Sequence, residues 1–163
     1  MKSFKIRNVK EVMAHLLMKD TFDKFLVSEV KILGKANFHV TGIPAEGFFS
    51  EEEVDESGYV TYGSLREICF DIIKGDKTPD SFTFMLLLPR EKLEGFIESS
   101  DSTLQPNDVD NLSMLIRFKD RDLSVTTGSS LRIFTMDKSL NAAWDKWVEN
   151  YLMEHGFDLD EQV

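Results

Sequence analysis

The stretch LSVTTGSSLRIFTM, residues 123–136, decides how the chain is read. Its Gly128-Ser129-Ser130 is a phosphate-cradling loop, part of a nucleophile site, or the tip of a hairpin. A phosphate loop needs Gly-Lys-Ser/Thr running into a helix, and here strand-forming residues follow. A nucleophile elbow needs Gly-x-Ser-x-Gly at a strand-to-helix turn, and the second Gly is missing. A three-residue turn at Thr127-Gly128-Ser129 pairs Val125 with Leu131 and Leu123 with Ile133, which keeps all four on one face. A two-residue turn opposes Val125 with Arg132 and spoils that face. The spacing therefore predicts a hairpin tip, with a further strand over residues 131–135.

The same pattern extends outward. A two-residue turn at Asp120-Arg121 sets Phe118 opposite Leu123 and Ile116 opposite Val125. In the first half, VKILGKANFHVTG turns at Gly34-Lys35-Ala36 and sets Ile32 opposite Phe38 and Val30 opposite Val40. Short strands are expected at Ser3-Phe4-Lys5-Ile6, at residues 59–62 and at Ser81-Phe82-Thr83-Phe84. Helical spacing marks four helices. The first, capped by Asn8, carries Val9, Val12, Met13, Leu16 and Leu17. The second opens on a capping box, Ser64-Leu65-Arg66-Glu67, buries Leu65, Ile68, Cys69, Ile72 and Ile73, and stops at Gly75. Pro89 opens the third, with Leu93, Phe96 and Ile97. The last starts near Ser139 and buries Leu140, Ala143, Trp144, Trp147, Val148, Tyr151 and Leu152. Acidic residues 43–58 and polar residues 99–111 read as loops, and residues 156–163 as a flexible tail.

The order strand, helix, two hairpin strands, further strand, helix thus occurs twice. It predicts a single α+β domain of two similar strand-helix-strands-helix halves, 1–76 and 77–155, sharing a curved antiparallel sheet with helices on one face. At 163 residues, 42% hydrophobic and with thirteen Phe, the chain can build a sizeable core. Its longest apolar run, Phe84-Met85-Leu86-Leu87-Leu88, stops at Pro89, so no membrane span is expected. The N-terminus lacks a secretory h-region and Cys69 is the single cysteine, which together favour the cytoplasm. A net charge of −10 disfavours nonspecific attraction to nucleic acid or anionic lipid, although a basic face can sit on an acidic protein.

Chemistry is harder to find. Cys69 falls within a helical apolar stripe and reads as a core residue. Ser28-Glu29-Val30-Lys31 matches a Ser-x-x-Lys string, but in a strand the two side chains diverge. His15, His39 and His155 form no local pair with metal-ligand spacing. The acidic loop lacks the Gly and ligand spacing of a calcium loop, and Asn107-Asp108-Val109-Asp110-Asn111 lacks the following Gly and the terminal Glu. No catalytic, cofactor or metal residue is assigned. Trp144, Trp147 and Tyr151 share a helical face that either packs on the sheet or meets a partner.

Four segments, MKSFKI, VKILGKANFHVTG, YVTYGSLREICFDIIKG and LSMLIRFKDRDLSVTTGSSLRIFTM, resemble the DNA sliding-clamp family. The third is similar to the strand and helix that open the second half of a clamp domain, and the fourth to its closing meander. Together they cover about half of the chain. Residues 76–110, the last helix and the one-domain length depart from clamps. The TATA-binding-protein-like fold, two copies of strand-helix-strands-helix, is the second resemblance and matches the helix count better. The chain also resembles an uncharacterised bacterial family, which implies no function.

The clamp resemblance implies a non-enzymatic binding or assembly module acting through protein contacts or self-association. It would place nucleic-acid contacts at Lys10, Lys19, Arg66 and Lys74. The alternative is a small-molecule binder or small enzyme using a pocket between sheet and helices.

Overall fold

A computed structural model describes residues 1–162. The elements are β1 (Ser3–Ile6), α1 (Val9–Leu17), β2 (Leu26–Leu33), β3 (Asn37–Thr41), α2 (Arg66–Ile73), β4 (Ser81–Leu87), α3 (Arg90–Glu98), β5 (Val109–Lys119), β6 (Asp122–Leu131), α4 (Ser139–Glu154) and β7 (Leu159–Gln162). The fold is α+β: four helices and one curved, unclosed sheet in the order β3-β2-β4-β5-β6-β1-β7, antiparallel throughout.

Alternation along the strands makes one face apolar. Val40, Val30, Phe84, Ile116, Val125 and Phe4 align across six strands, and Phe38, Ile32, Phe82, Phe118, Leu123 and Ile6 form the next row. Each fully buried Phe, Ile or Val contributes about 1.5–3 kcal/mol, and a one-residue slip would turn a whole strand's set to solvent. Register is therefore strongly specified. Val12 and Leu16 of α1, Cys69 and Ile73 of α2, Leu93 and Ile97 of α3, and Trp144, Val148 and Leu152 of α4 join the same core. The opposite sheet face aligns His39, Lys31, Thr83, Arg117, Ser124 and Lys5.

Both hairpins have the registers expected from their turns, Ile32 to Phe38 and Val30 to Val40, then Phe118 to Leu123 and Ile116 to Val125. Asp120 and Arg121 both have positive φ, 53° and 67°, as a two-residue type I′ turn requires.

The stretch after Val125 is a correction. Gly128 is not a turn tip, because β6 runs through it to Leu131. Strand β5 begins at Val109, early enough to pair Ser113 with Gly128 and Val109 with Leu131. Thr127 continues the inward alternation of Leu123 and Val125, and its hydroxyl donates to the Asp145 carboxylate on α4. Ser129 donates to Asn141 Oδ1 at 2.8 Å. The polar run is thus the strip where β6 meets the start of α4. Residues 131–135 do not form a separate strand, and Ile133 is exposed.

Four smaller expectations also change. The Ser64 capping box does not form: a 3-10 turn at Tyr62–Ser64 precedes α2, and the Ser64 hydroxyl meets Thr61 Oγ1 instead. The buried Tyr62 hydroxyl, donating to the Leu16 carbonyl at 2.8 Å, holds that turn in place. Ile68 is half exposed rather than buried, and the strand expected at 59–62 reduces to a single bridge between Leu26 and Thr61. Finally, residues 156–162 carry structure where a flexible tail was expected, and residue 163 lies outside the described residues. Phe157 is buried, Leu159–Gln162 pairs with β1 as β7, and the Asn8 side chain bonds the backbone of Gly156 and Asp158.

Candidate functional site

A concavity of about 950 Å³ opens at the end of the sheet where β5 turns into β6. One wall is α1, with Val9, Met13, Leu17 and Met18 along it. Phe70 of α2, Pro79 and Phe118 of β5 complete an apolar floor. The helical spacing of Val9, Met13 and Leu17 puts them on one flank of α1, while Val12 and Leu16 anchor the helix in the core. The rim is charged and mixed, with Lys10, Asp80, Asp120 and Arg121. Its volume falls in the range of sites for small molecules or short chain segments.

The buried titratable groups Cys69, Tyr62 and His15 do not line this groove. Cys69 is fully buried, and desolvation pushes its thiol up to about 12. Burial likewise raises Tyr62 well above the ordinary phenol, with smaller contributions from Cys69 and Asp23. His15 is buried, with Nδ1 at 2.6 Å from Thr21 Oγ1 and its ring edge-on to Phe157 and His155. Folding thus brings together His15 and His155, far apart in sequence. No group of three or more metal-ligating side chains converges among the described residues.

The four basic residues singled out in the sequence do not share one surface environment. Lys10 lines the groove, and Lys74 stands over Phe70, 5.7 Å from the ring centre, while paired with Asp71 at 3.0 Å. Lys19 sits with Glu11 and His15. Arg66 is committed to Asp23 at 2.9 Å, a half-buried pair whose hydrogen bond raises the guanidinium pKa further.

The aromatic face of α4 packs inward. Trp144 is buried and its indole N–H donates to the Ser113 carbonyl at 2.8 Å. Trp147 stacks between Trp144 and Tyr151, at 5.2 and 5.0 Å, and Phe25 and Phe96 close on it edgewise. Tyr151 donates its hydroxyl to the Thr21 carbonyl. With both ring faces of Trp147 occupied, the ladder is chiefly packing. A small recess beside it is lined by Lys24, Lys92, Trp147, Tyr151 and His155.

A family model matches residues 15–160, nearly the whole of this fold. The chain belongs to DUF5721, a family of unknown function. No curated protein and no solved structure matches it. The site of this DUF5721 member therefore rests on its own geometry. No helix among the described residues is long and apolar enough to cross a membrane.

Sequence reasoning found Val9, Met13, Leu17 and Phe118 as apolar positions but not as one groove. The signal lay in Met13 and Met18, flexible thioethers that suit adaptable surfaces. What joins them to Phe70 and Phe118 is tertiary packing.

Proposed function

We propose that this protein is a non-enzymatic binding and assembly module that holds an apolar segment of a protein partner in the groove beside α1. The observation that carries this reading is an open apolar floor of Val9, Met13, Leu17, Phe70 and Phe118 with charges of both signs confined to its rim. Such a surface rewards burial of apolar side chains and orients them through the rim. The sealing of the Cys69 thiol within the core also favours binding over nucleophilic chemistry. The clamp resemblance carries over only as this general role in assembly.

A small apolar molecule is the second reading, favoured by the volume of the same groove. Nucleic acid is a further partner class through Lys10 and Lys74, set against a total charge of −10.

The probe for the site is 1-anilinonaphthalene-8-sulfonate, apolar and singly anionic. One equivalent should bind the native chain with enhanced fluorescence, and Met13→Glu should weaken that binding at least tenfold with the fold intact by circular dichroism. Native chain that leaves the probe dark rejects the groove as a binding surface. Mass spectrometry of the native chain separates the two readings, since a co-purified small molecule supports the second. A labelled DNA duplex retained at low salt, and lost in Lys10→Ala with Lys74→Ala, would add nucleic acid as a partner.

A further inference from the structure

The groove has a candidate occupant within the chain itself. Just past β6, Ile133, Phe134 and Met136 are 45, 89 and 79% exposed. Three large apolar side chains within four residues, uncovered together, are unusual on a surface that alternates polar and apolar residues elsewhere.

Both ends of the segment are fixed. Arg132 donates its backbone N–H to the Asp108 carbonyl at 2.8 Å. On the other side, the Asp137 carboxylate accepts from the Ser139 N–H at 2.9 Å and from Thr103, and the Asp137 N–H reaches Thr135 Oγ1 at 3.1 Å. The apolar side chains are therefore presented from an anchored loop, which lowers the ordering cost of inserting them elsewhere.

The segment cannot reach the groove of its own chain. It follows Leu131, which pairs with Val109 at one end of the β5–β6 hairpin, whereas Phe118 and Arg121 line the groove at the other. Ten residue steps of β5 separate those ends, roughly 33 Å. Charge suits an intermolecular contact: Arg132 and Asp137 flank the segment, and the groove rim offers Asp80 and Asp120 with Lys10 and Arg121.

We propose that a second copy of this chain occupies the groove by inserting Ile133-Phe134-Thr135-Met136, giving head-to-tail self-association. The proposal rests on the groove being a binding surface and adds the identity of the partner. The contact is heterologous, so an open chain of copies leaves one free groove at one end and one free loop at the other. Each copy carries −10, so salt that screens the repulsion strengthens the assembly, the reverse of nucleic-acid binding.

Sedimentation of the full chain tests it. The wild type should gain mass with concentration, and more so at physiological than at low ionic strength. A loop variant, Phe134→Ser with Met136→Ser, and a groove variant, Met13→Glu, should each sediment as a monomer. Mixed in equal amounts, they should form a one-to-one dimer, because each supplies the half that the other lacks. Met18→Glu, at a position already exposed, replaces Met13→Glu if the latter unfolds. A wild type that stays monomeric at millimolar concentration overturns the proposal, as does a mixture of folded variants that does not associate. If the wild type is monomeric but the naphthalene probe still binds in the groove, self-association alone fails and the binding reading stands.

Discussion

At the scale of single residues, close approach decides more than polarity. A Cβ on Gly42 would lie 1.6 Å from the Val27 carbonyl oxygen, beside the bulge where the Gly42 N–H donates to Ser28. Gly42→Ala should cost about 3 kcal/mol or more in urea unfolding. On Gly128 the added carbon would meet only the Ser113 hydroxyl, which can rotate away, so Gly128→Ala should stay within about 1 kcal/mol. Cys69 gives a pH signature. Its thiol is raised to about 12 in the fold from 9.0, so the unfolded chain loses the proton first. The neutral thiol's contribution is complete below pH 9 and is lost as pH rises toward 12. The fall should be on the order of 1 kcal/mol per pH unit. Cys69→Ala should flatten this limb of the stability profile, which chemical unfolding between pH 8 and about 11 would measure. An unchanged slope would show that Tyr62 or other groups dominate. The core placement of Cys69 was legible from its helical stripe. The Gly42 clash was not, because a bulge in one strand is invisible in the sequence of another.

At the scale of elements, local turn chemistry was legible and long-range pairing was not. Gly34-Lys35-Ala36 and Asp120-Arg121 give the registers that alternation demands. Gly128-Ser129-Ser130 misleads because polar, turn-prone residues also suit a strand that must hydrogen-bond a helix, as Thr127 does with Asp145. The end of the chain shows the same limit. Phe157-Asp158-Leu159 has too short a period to announce a strand, and β7 forms because β1 has an open edge and Phe22 and His15 shelter Phe157. Phe157→Ala should therefore cost about 3 kcal/mol, and removal of residues 156–163 should raise amide exchange across β1. A truncated chain with wild-type protection in β1 would show that β7 adds no stability. Asp23→Ala, which strands Arg66 at the start of α2, should cost only about 1 kcal/mol, since the pair is part-solvated.

At the scale of the molecule, the element order recurs, strand-helix-strand-strand-helix, but the sheet does not set the two runs side by side. Strands β4, β5 and β6 lie between β2 and β1, so β1 reaches the sheet only by pairing with β6. Sequence order gave the inventory of elements, whereas this interleaving depends on which strand edges remain open after the hairpins form. It also creates the groove, by bringing the flank of α1 to the turn between β5 and β6. The open sheet face is nearly charge-balanced, with Lys31 and His39 on Glu29 and Lys5 on Asp122, which gives it less to offer a partner than the apolar groove. The methionines report on both surfaces: Met13 and Met18 line the groove, Met85 faces the open side of the sheet, and Met153 is exposed on α4. The most direct test is the methyl spectrum of methionine-labelled full chain titrated with the naphthalene sulfonate probe. The expected result is a saturable shift of Met13 and Met18 with Met85 and Met153 unmoved. Shifts at Met85 or Met153 while Met13 and Met18 stay in place would contradict the groove as the working surface.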